Sequence, residues 1–230
     1  MEEIVTAVRR ARPALPVALC FVDVIRPSLV DVLTGVVGPA VVVPVLLSGG
    51  YHVRIDIPSV LARRPEVVTA PPLGPDPRLA DALAGRLAQA GRDPIAGRRV
   101  AMIAAGSSDS SARADIDVAA AQLSSRLGCE VTAGVLSGPG PTLADIVATA
   151  ATPVDVAGYL LAGGFFAERL RADAAALGVR VVAGPIGAHP VLTELILARY
   201  DTARYDTARH ETRADHEVSG ATRPTSPGIG

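Results

Sequence analysis

Segments of this 230-residue chain recur at a near-constant distance, and that repeat limits the fold more than any single motif. Pro27-Ser28-Leu29-Val30-Asp31-Val32 is matched by Pro141-Thr142-Leu143-Ala144-Asp145-Ile146, 114 residues later (141 − 27). Leu46-Leu47-Ser48-Gly49-Gly50-Tyr51-His52 lies over Leu160-Leu161-Ala162-Gly163-Gly164-Phe165-Phe166 at the same offset. Leu73-Gly74 and Asp76-Pro77 lie over Ile186-Gly187 and His189-Pro190 at 113, after one deletion. Three matches in order describe two copies of one supersecondary unit.

The unit reads as α/β. Apolar runs at 17–24, 40–47, 67–70, 99–105, 130–136, 154–161 and 179–183 are too continuous for half-exposed strands and fit parallel strands covered on both faces. Pro44 hints at an edge or a bulge within its run. Helical patterns alternate with these runs, including one predicted from 57 to about 64, capped by Asp56 with Pro58 in its first turn. The expected architecture is two parallel-sheet units facing a central cleft, residues 1–96 and 97–200. Residues 201–230 contain the direct repeat Arg199-Tyr200-Asp201-Thr202-Ala203 and Arg204-Tyr205-Asp206-Thr207-Ala208, then a polar stretch, and are expected to be a disordered tail. The copies are unequal at the start. The strand and turn at 99–109 project to positions before Met1, so the first unit lacks its own first strand, which leaves backbone groups unpaired at about 1–3 kcal/mol each. The expectation is that Met1 is not the natural start, or that the first copy is degenerate.

Composition excludes several classes. Net charge is −1 and aromatics are 3%, so neither a phosphate-tracking surface nor a base-stacking platform is indicated. Cys20 and Cys129 have no paired spacing and read as reduced thiols, not a zinc site or a disulfide. No run reads as a membrane span and the start is acidic, so a cytoplasmic protein is expected, with no membrane and no nucleic acid as partners. Gly138-Pro139-Gly140-Pro141-Thr142 lacks the lysine of a phosphate-binding loop, and no dinucleotide fingerprint follows a strand.

Chemistry concentrates in the first copy. His52 is expected on the loop leaving the carboxyl end of the 40–47 strand, where open α/β sheets bind ligands. Gly49 and Gly50 allow close backbone approach there. Asp23 is a carboxylate late in an apolar strand, either functional or a cap for the following helix. The second copy has Phe166 and Ser137 at the corresponding positions, so a cleft between the copies has one chemical and one apolar wall. Asp56 reads as a cap, His189 as structural, and Gly106-Ser107-Ser108-Asp109 as a helix N-cap.

Five stretches carry a family resemblance: PVLLSGGYHVRIDIP (44–58), FVDVIRPSL (21–29), APPLGPDP (70–77), AAGSSD (104–109) and GPIGAHP (184–190). The chain resembles the sirohydrochlorin chelatases of the class II chelatase superfamily, in their long two-repeat form. The resemblance implies insertion of Fe²⁺ or Co²⁺ into sirohydrochlorin, toward siroheme or cobalamin, with no cofactor beyond that substrate metal ion. It puts His52 and Asp23 in the metal-binding and catalytic roles, Asp23 standing where relatives often have glutamate. Gly49, Gly50, Tyr51 and Arg54 fall to the substrate. Neutral imidazole suits both tasks, as a good ligand for iron and cobalt and as a base near neutrality. A second histidine of the family belongs to a His-Gly-Ser turn; the repeat counterpart of that turn is Ala105-Gly106-Ser107, so no residue here takes its role. The alternative is a non-catalytic tetrapyrrole- or metal-binding homologue. Either a monomer or a homodimer is compatible with the sequence.

Overall fold

The computed structural model describes residues 1–22, 25–94 and 97–220, with side chains up to residue 206. Its elements, in chain order, are α1 (Glu2–Ala11), α2 (Leu29–Thr34), β1 (Ala40–Val42), a π-helical turn (His52–Asp56) running into α3 (Ile57–Leu61), β2 (Val67–Thr69), α4 (Pro77–Gln89), β3 (Arg99–Ala104), α5 (Ser110–Leu127), β4 (Val131–Val135), α6 (Leu143–Thr149), β5 (Val154–Tyr159), α7 (Phe165–Ala176), β6 (Val182–Ala183) and α8 (Pro190–Gly220).

All strand pairing is parallel. One sheet has the order β4-β3-β5-β6, and a second consists of β1 and β2. The register reproduces the repeat. Val42 pairs with Thr69, and its counterpart Val156 pairs with Val182, at offsets of 114 (156 − 42) and 113 (182 − 69). The capping boxes repeat too: Ser28 with Asp31 at α2, Thr142 with Asp145 at α6. In β3, Val100, Met102 and Ala104 enter the core cluster on one face of the sheet, while Ala101 and Ile103 enter the cluster on the other. Both faces of a parallel sheet are thereby covered.

The cover comes from exchanged helices. α4, which follows the first sheet, packs on β5, β6 and α5 of the second, while α8, which follows the second sheet, packs on β1, β2 and α1. Leu79, Leu83 and Leu87 of α4 therefore share a core cluster with Met102, Tyr159, Leu192 and Leu195. Two arginines lock the exchange reciprocally. Arg86 on α4 donates through Nε and Nη2 to the Ile186 carbonyl (3.1 and 2.6 Å). Its counterpart Arg199 on α8 donates to the carbonyls of Pro72 (3.0 Å) and Leu73 (3.4 Å), and Leu73 is the counterpart of Ile186.

Several expectations change. The 40–47 run is a strand only to Val42, because Pro44 has no N–H to give to a ladder; beyond it the Leu46 carbonyl still accepts from Leu73 and Gly74 (3.0 and 3.1 Å). The 17–24 run forms no strand within the described residues. Its counterpart β4 pairs with β3 alone, and among the described residues nothing plays the part of β3 in the first copy. Phe21 makes a single bridge to Ser28, and the Arg9 guanidinium donates to the Val17 carbonyl (3.1 and 2.7 Å). α8 continues through residues 201–220, since no proline or glycine interrupts 191–219 and helix formers abound there. α1 packs against it, with a two-pronged Arg12–Asp201 pair (2.5 and 2.8 Å) at the surface. Residues 221–230 lie outside the described residues.

Asp155 on β5 is fully buried between Arg98 (3.1 Å) and Arg92 (3.8 Å) and ties the 91–98 connection to the foot of the sheet. Asp155→Leu leaves the buried Arg92 guanidinium without its counter-charge and is expected to cost about 3–5 kcal/mol in urea unfolding. Arg86→Met strands the Ile186 carbonyl and Arg199→Met those of Pro72 and Leu73, and each is expected to cost about 1–3 kcal/mol; a loss for only one of them would break the reciprocal account.

Candidate functional site

The histidine segment begins a helix. The Gly50 carbonyl accepts from Val53 and Arg54 (3.1 and 3.3 Å), so the turn starts at Tyr51 and His52 sits in it, not on the loop before it. Pro58 shapes the rest of the turn. It cannot donate to the carbonyl four residues back and its ring crowds that carbonyl, and the ladder widens to a π turn in which Ile57 N–H reaches the His52 carbonyl. The repeat itself held the signal for this start, because α7 begins at Phe165, the counterpart of Tyr51.

The turn brings His52 against Asp56, with Nδ1 and Oδ2 2.6 Å apart. Asp56 makes no side-chain cap, so its expected capping role is replaced by this contact. A carboxylate only accepts, which assigns the imidazole proton to Nδ1 and leaves the lone pair on Nε2. A carboxylate behind an imidazole fixes its ring orientation and its tautomer. The His52 side chain is 48% exposed and can meet a ligand from solvent. The i, i+4 spacing of His52 and Asp56 was the available clue once the helix start is known.

Arg54, expected at the substrate, is paired with Asp109 at the N-terminus of α5. Asp109 also accepts from the Ser111 amide (2.9 Å), which fits the expected N-cap. The Arg54 guanidinium and the Ser111 donors hold the Asp109 carboxyl down at about 2. Half of the Arg54 side chain remains exposed. Tyr51 is exposed, and Gly49 and Gly50 lie half-buried against α5. Asp23 lies outside the described residues.

The second copy supports this segment from beneath. The buried Tyr159 hydroxyl at the end of β5 donates to the Leu47 carbonyl (2.9 Å), and burial pushes its phenol pKa up, so it stays a donor. Gly74 must be glycine there: an added Cβ would lie 2.5 Å from the Leu47 oxygen and 2.6 Å from the Tyr159 hydroxyl. At the corresponding helix start of the second copy, Phe165 and Phe166 in the first turn of α7 stand exposed, edge to face with centroids 5.4 Å apart. Among the described residues no group of three or more His, Cys, Asp or Glu side chains could cage a metal ion. Cys20 and Cys129 are free. His189 accepts from the Val191 amide through Nδ1 (3.3 Å), a structural role at the start of α8. No helix among the described residues is long and apolar enough to cross a membrane.

The CbiX family matches the chain over residues 1–90 and 99–203. Among solved structures, SirB from Bacillus subtilis with Fe³⁺ superposes with a TM-score of 0.74 at 24% identity, over 90% of this chain and 91% of that one. The sirohydrochlorin chelatase SirB from Bacillus subtilis subspecies spizizenii in complex with cobalt gives 0.68 at 21%, over 88% of each chain. CbiX, the terminal enzyme for biosynthesis of siroheme in denitrifying bacteria, gives 0.68 at 24%, over 88% and 90%. These likenesses establish the shared fold. No curated protein matches the sequence.

The Arg54–Asp109 contact makes a pH prediction. The carboxyl titrates below its ordinary 3.8, so the contact is intact above that value and is lost as pH falls through about 2. In Arg54→Ala the Asp109 titration followed by carbon-13 NMR is expected to move up toward the ordinary value; an unchanged midpoint would show that Arg54 does not hold it.

Proposed function

The chain belongs to the CbiX family, and from that premise we propose that it is a metal chelatase that inserts a divalent ion, Fe²⁺ or Co²⁺, into sirohydrochlorin. The observation that carries the proposal is the His52–Asp56 pair: a half-exposed imidazole with its Nε2 lone pair free of Asp56, held from behind by that carboxylate, on a turn anchored to the second copy. Insertion exchanges two pyrrole N–H protons for one M²⁺. The imidazole serves both sides of that exchange, as a ligand that delivers the ion and as a base that accepts a proton and passes it to water.

The other roles are assigned with it. Asp23 is the acidic helper that the family resemblance implies. Gly49, Gly50 and Tyr51 border the histidine and face the macrocycle, and the exposed N–H groups of Arg54 are available to its carboxylates. Phe165 and Phe166 supply the apolar wall. The ion is substrate and no further cofactor is required, so the partners are the macrocycle and the metal.

Anaerobic mixing of the protein with sirohydrochlorin and Fe²⁺ or Co²⁺, followed by absorbance, tests this. Wild-type protein is expected to accelerate insertion. His52→Ala is expected to lower the rate about 10²–10⁴-fold and Asp56→Asn about 10–100-fold. Tight macrocycle binding without insertion would instead establish the non-catalytic homologue, and equal activity in wild type and His52→Ala would remove His52 from the site.

A further inference from the structure

The histidine turn is gripped by a carboxylate from the other copy of the repeat. Asp115 lies on α5, and its Oδ2 accepts the Gly49 amide at 2.7 Å, three residues ahead of His52. Ser111, one helical turn earlier on the same face, gives its hydroxyl to Asp109 Oδ1 at 2.9 Å and lies 3.4 Å from the Gly49 carbonyl. The Gly49 peptide thus rests against two side chains of one helix face, with its N–H taken by Asp115. The approach is close: an added Cβ on Gly49 would lie 3.4 Å from the Asp115 carboxylate, and one on Gly50 3.6 Å from the Ala112 methyl.

Three features distinguish this grip from ordinary packing. Asp115 does not cap α5, whose N-cap is Asp109. Among the described residues no arginine stands within ion-pair distance of it, so this half-buried carboxylate is committed to a backbone amide. The matching loop of the second copy has nothing comparable, since Cβ atoms added at Gly163 or Gly164 would meet nothing within 4 Å. Only the loop with the histidine is clamped. A charge-assisted hydrogen bond to a backbone N–H is about twice as strong as a neutral one, and a turn entered from a fixed peptide keeps its first side chains in one place.

We infer that Asp115 is a positioning residue for metal delivery, fixing the Gly49 peptide and through it the His52–Asp56 turn. The inference rests on the chelatase proposal, and it is tested on readouts that separate the two. Asp115→Ala and Asp115→Asn are compared with wild type by far-UV circular dichroism, by hydrogen exchange of residues 48–52, and by Co²⁺ insertion into sirohydrochlorin. Asp115→Ala is expected to speed exchange of these amides and to lower kcat about 10-fold with KM for the macrocycle unchanged. Asp115→Asn keeps an amide oxygen for Gly49 and is expected to restore most of both. Wild-type exchange in Asp115→Ala, or faster exchange with unchanged kcat, overturns the inference while leaving the chelatase proposal standing. A wild-type protein that inserts no metal overturns the proposal, and with it the delivery role of Asp115, even where the exchange result still shows the clamp.

Discussion

A parallel sheet has two faces to cover, and neither copy of this repeat covers its own sheet alone. α4 and α8 each leave the copy that encodes them and lie on the other. Everything at the site depends on that exchange, because it draws the strand ends of both copies to one place: Leu47 meets Tyr159, Gly74 fits between them, and the histidine turn comes to rest on α5. The reciprocal arginines seal the two crossing points by donating to carbonyls that the sheets leave unpaired, where a lost partner costs about 1–3 kcal/mol.

The two copies have divided their labour. The second builds the four-stranded sheet and most of the buried core, and its loop ends in Phe165 and Phe166. The first retains two paired strands and an extended segment that, among the described residues, makes one bridge and accepts one side-chain donor, yet it carries the histidine, its carboxylate partner and the arginine beside them. A thin sheet is a poor frame for chemistry that needs fixed geometry. The frame is therefore borrowed from the thick one, through Tyr159 and α5.

Periodicity and repetition made the class, the parallel pairing and the 114/113 register legible before any coordinates, since burial on both faces leaves a continuous apolar run and a duplicated unit leaves duplicated caps. Helix exchange was not legible, because a covered face looks the same in sequence whichever copy supplies the cover; Arg86 and Arg199 fall at matching positions, but a helical arginine carries no sign of which carbonyl it will meet. His52 stands out by its place after a strand, whereas Asp56 reads as a cap because Pro58 marks a helix start that in fact comes earlier. The proline in fact widened a turn that had already begun at Tyr51. Polar composition without periodicity argues against a packed face, and α8 beyond Tyr200 continues on local propensity, with Asp201 paired to Arg12 of α1.

The site joins a fixed backbone to an exposed side chain, and that pairing bears on what it can do with a metal. A closed cage of three or four ligands holds an ion as structure, whereas a catalytic centre keeps positions open. Here the described residues offer one oriented imidazole and no cage. Under the proposed function the ion is cargo, and weak retention by the protein then helps, because the acceptor macrocycle must outcompete every protein ligand to complete the transfer. In that reading the aim of the imidazole comes from Asp56 behind the ring and from the second copy beneath the turn.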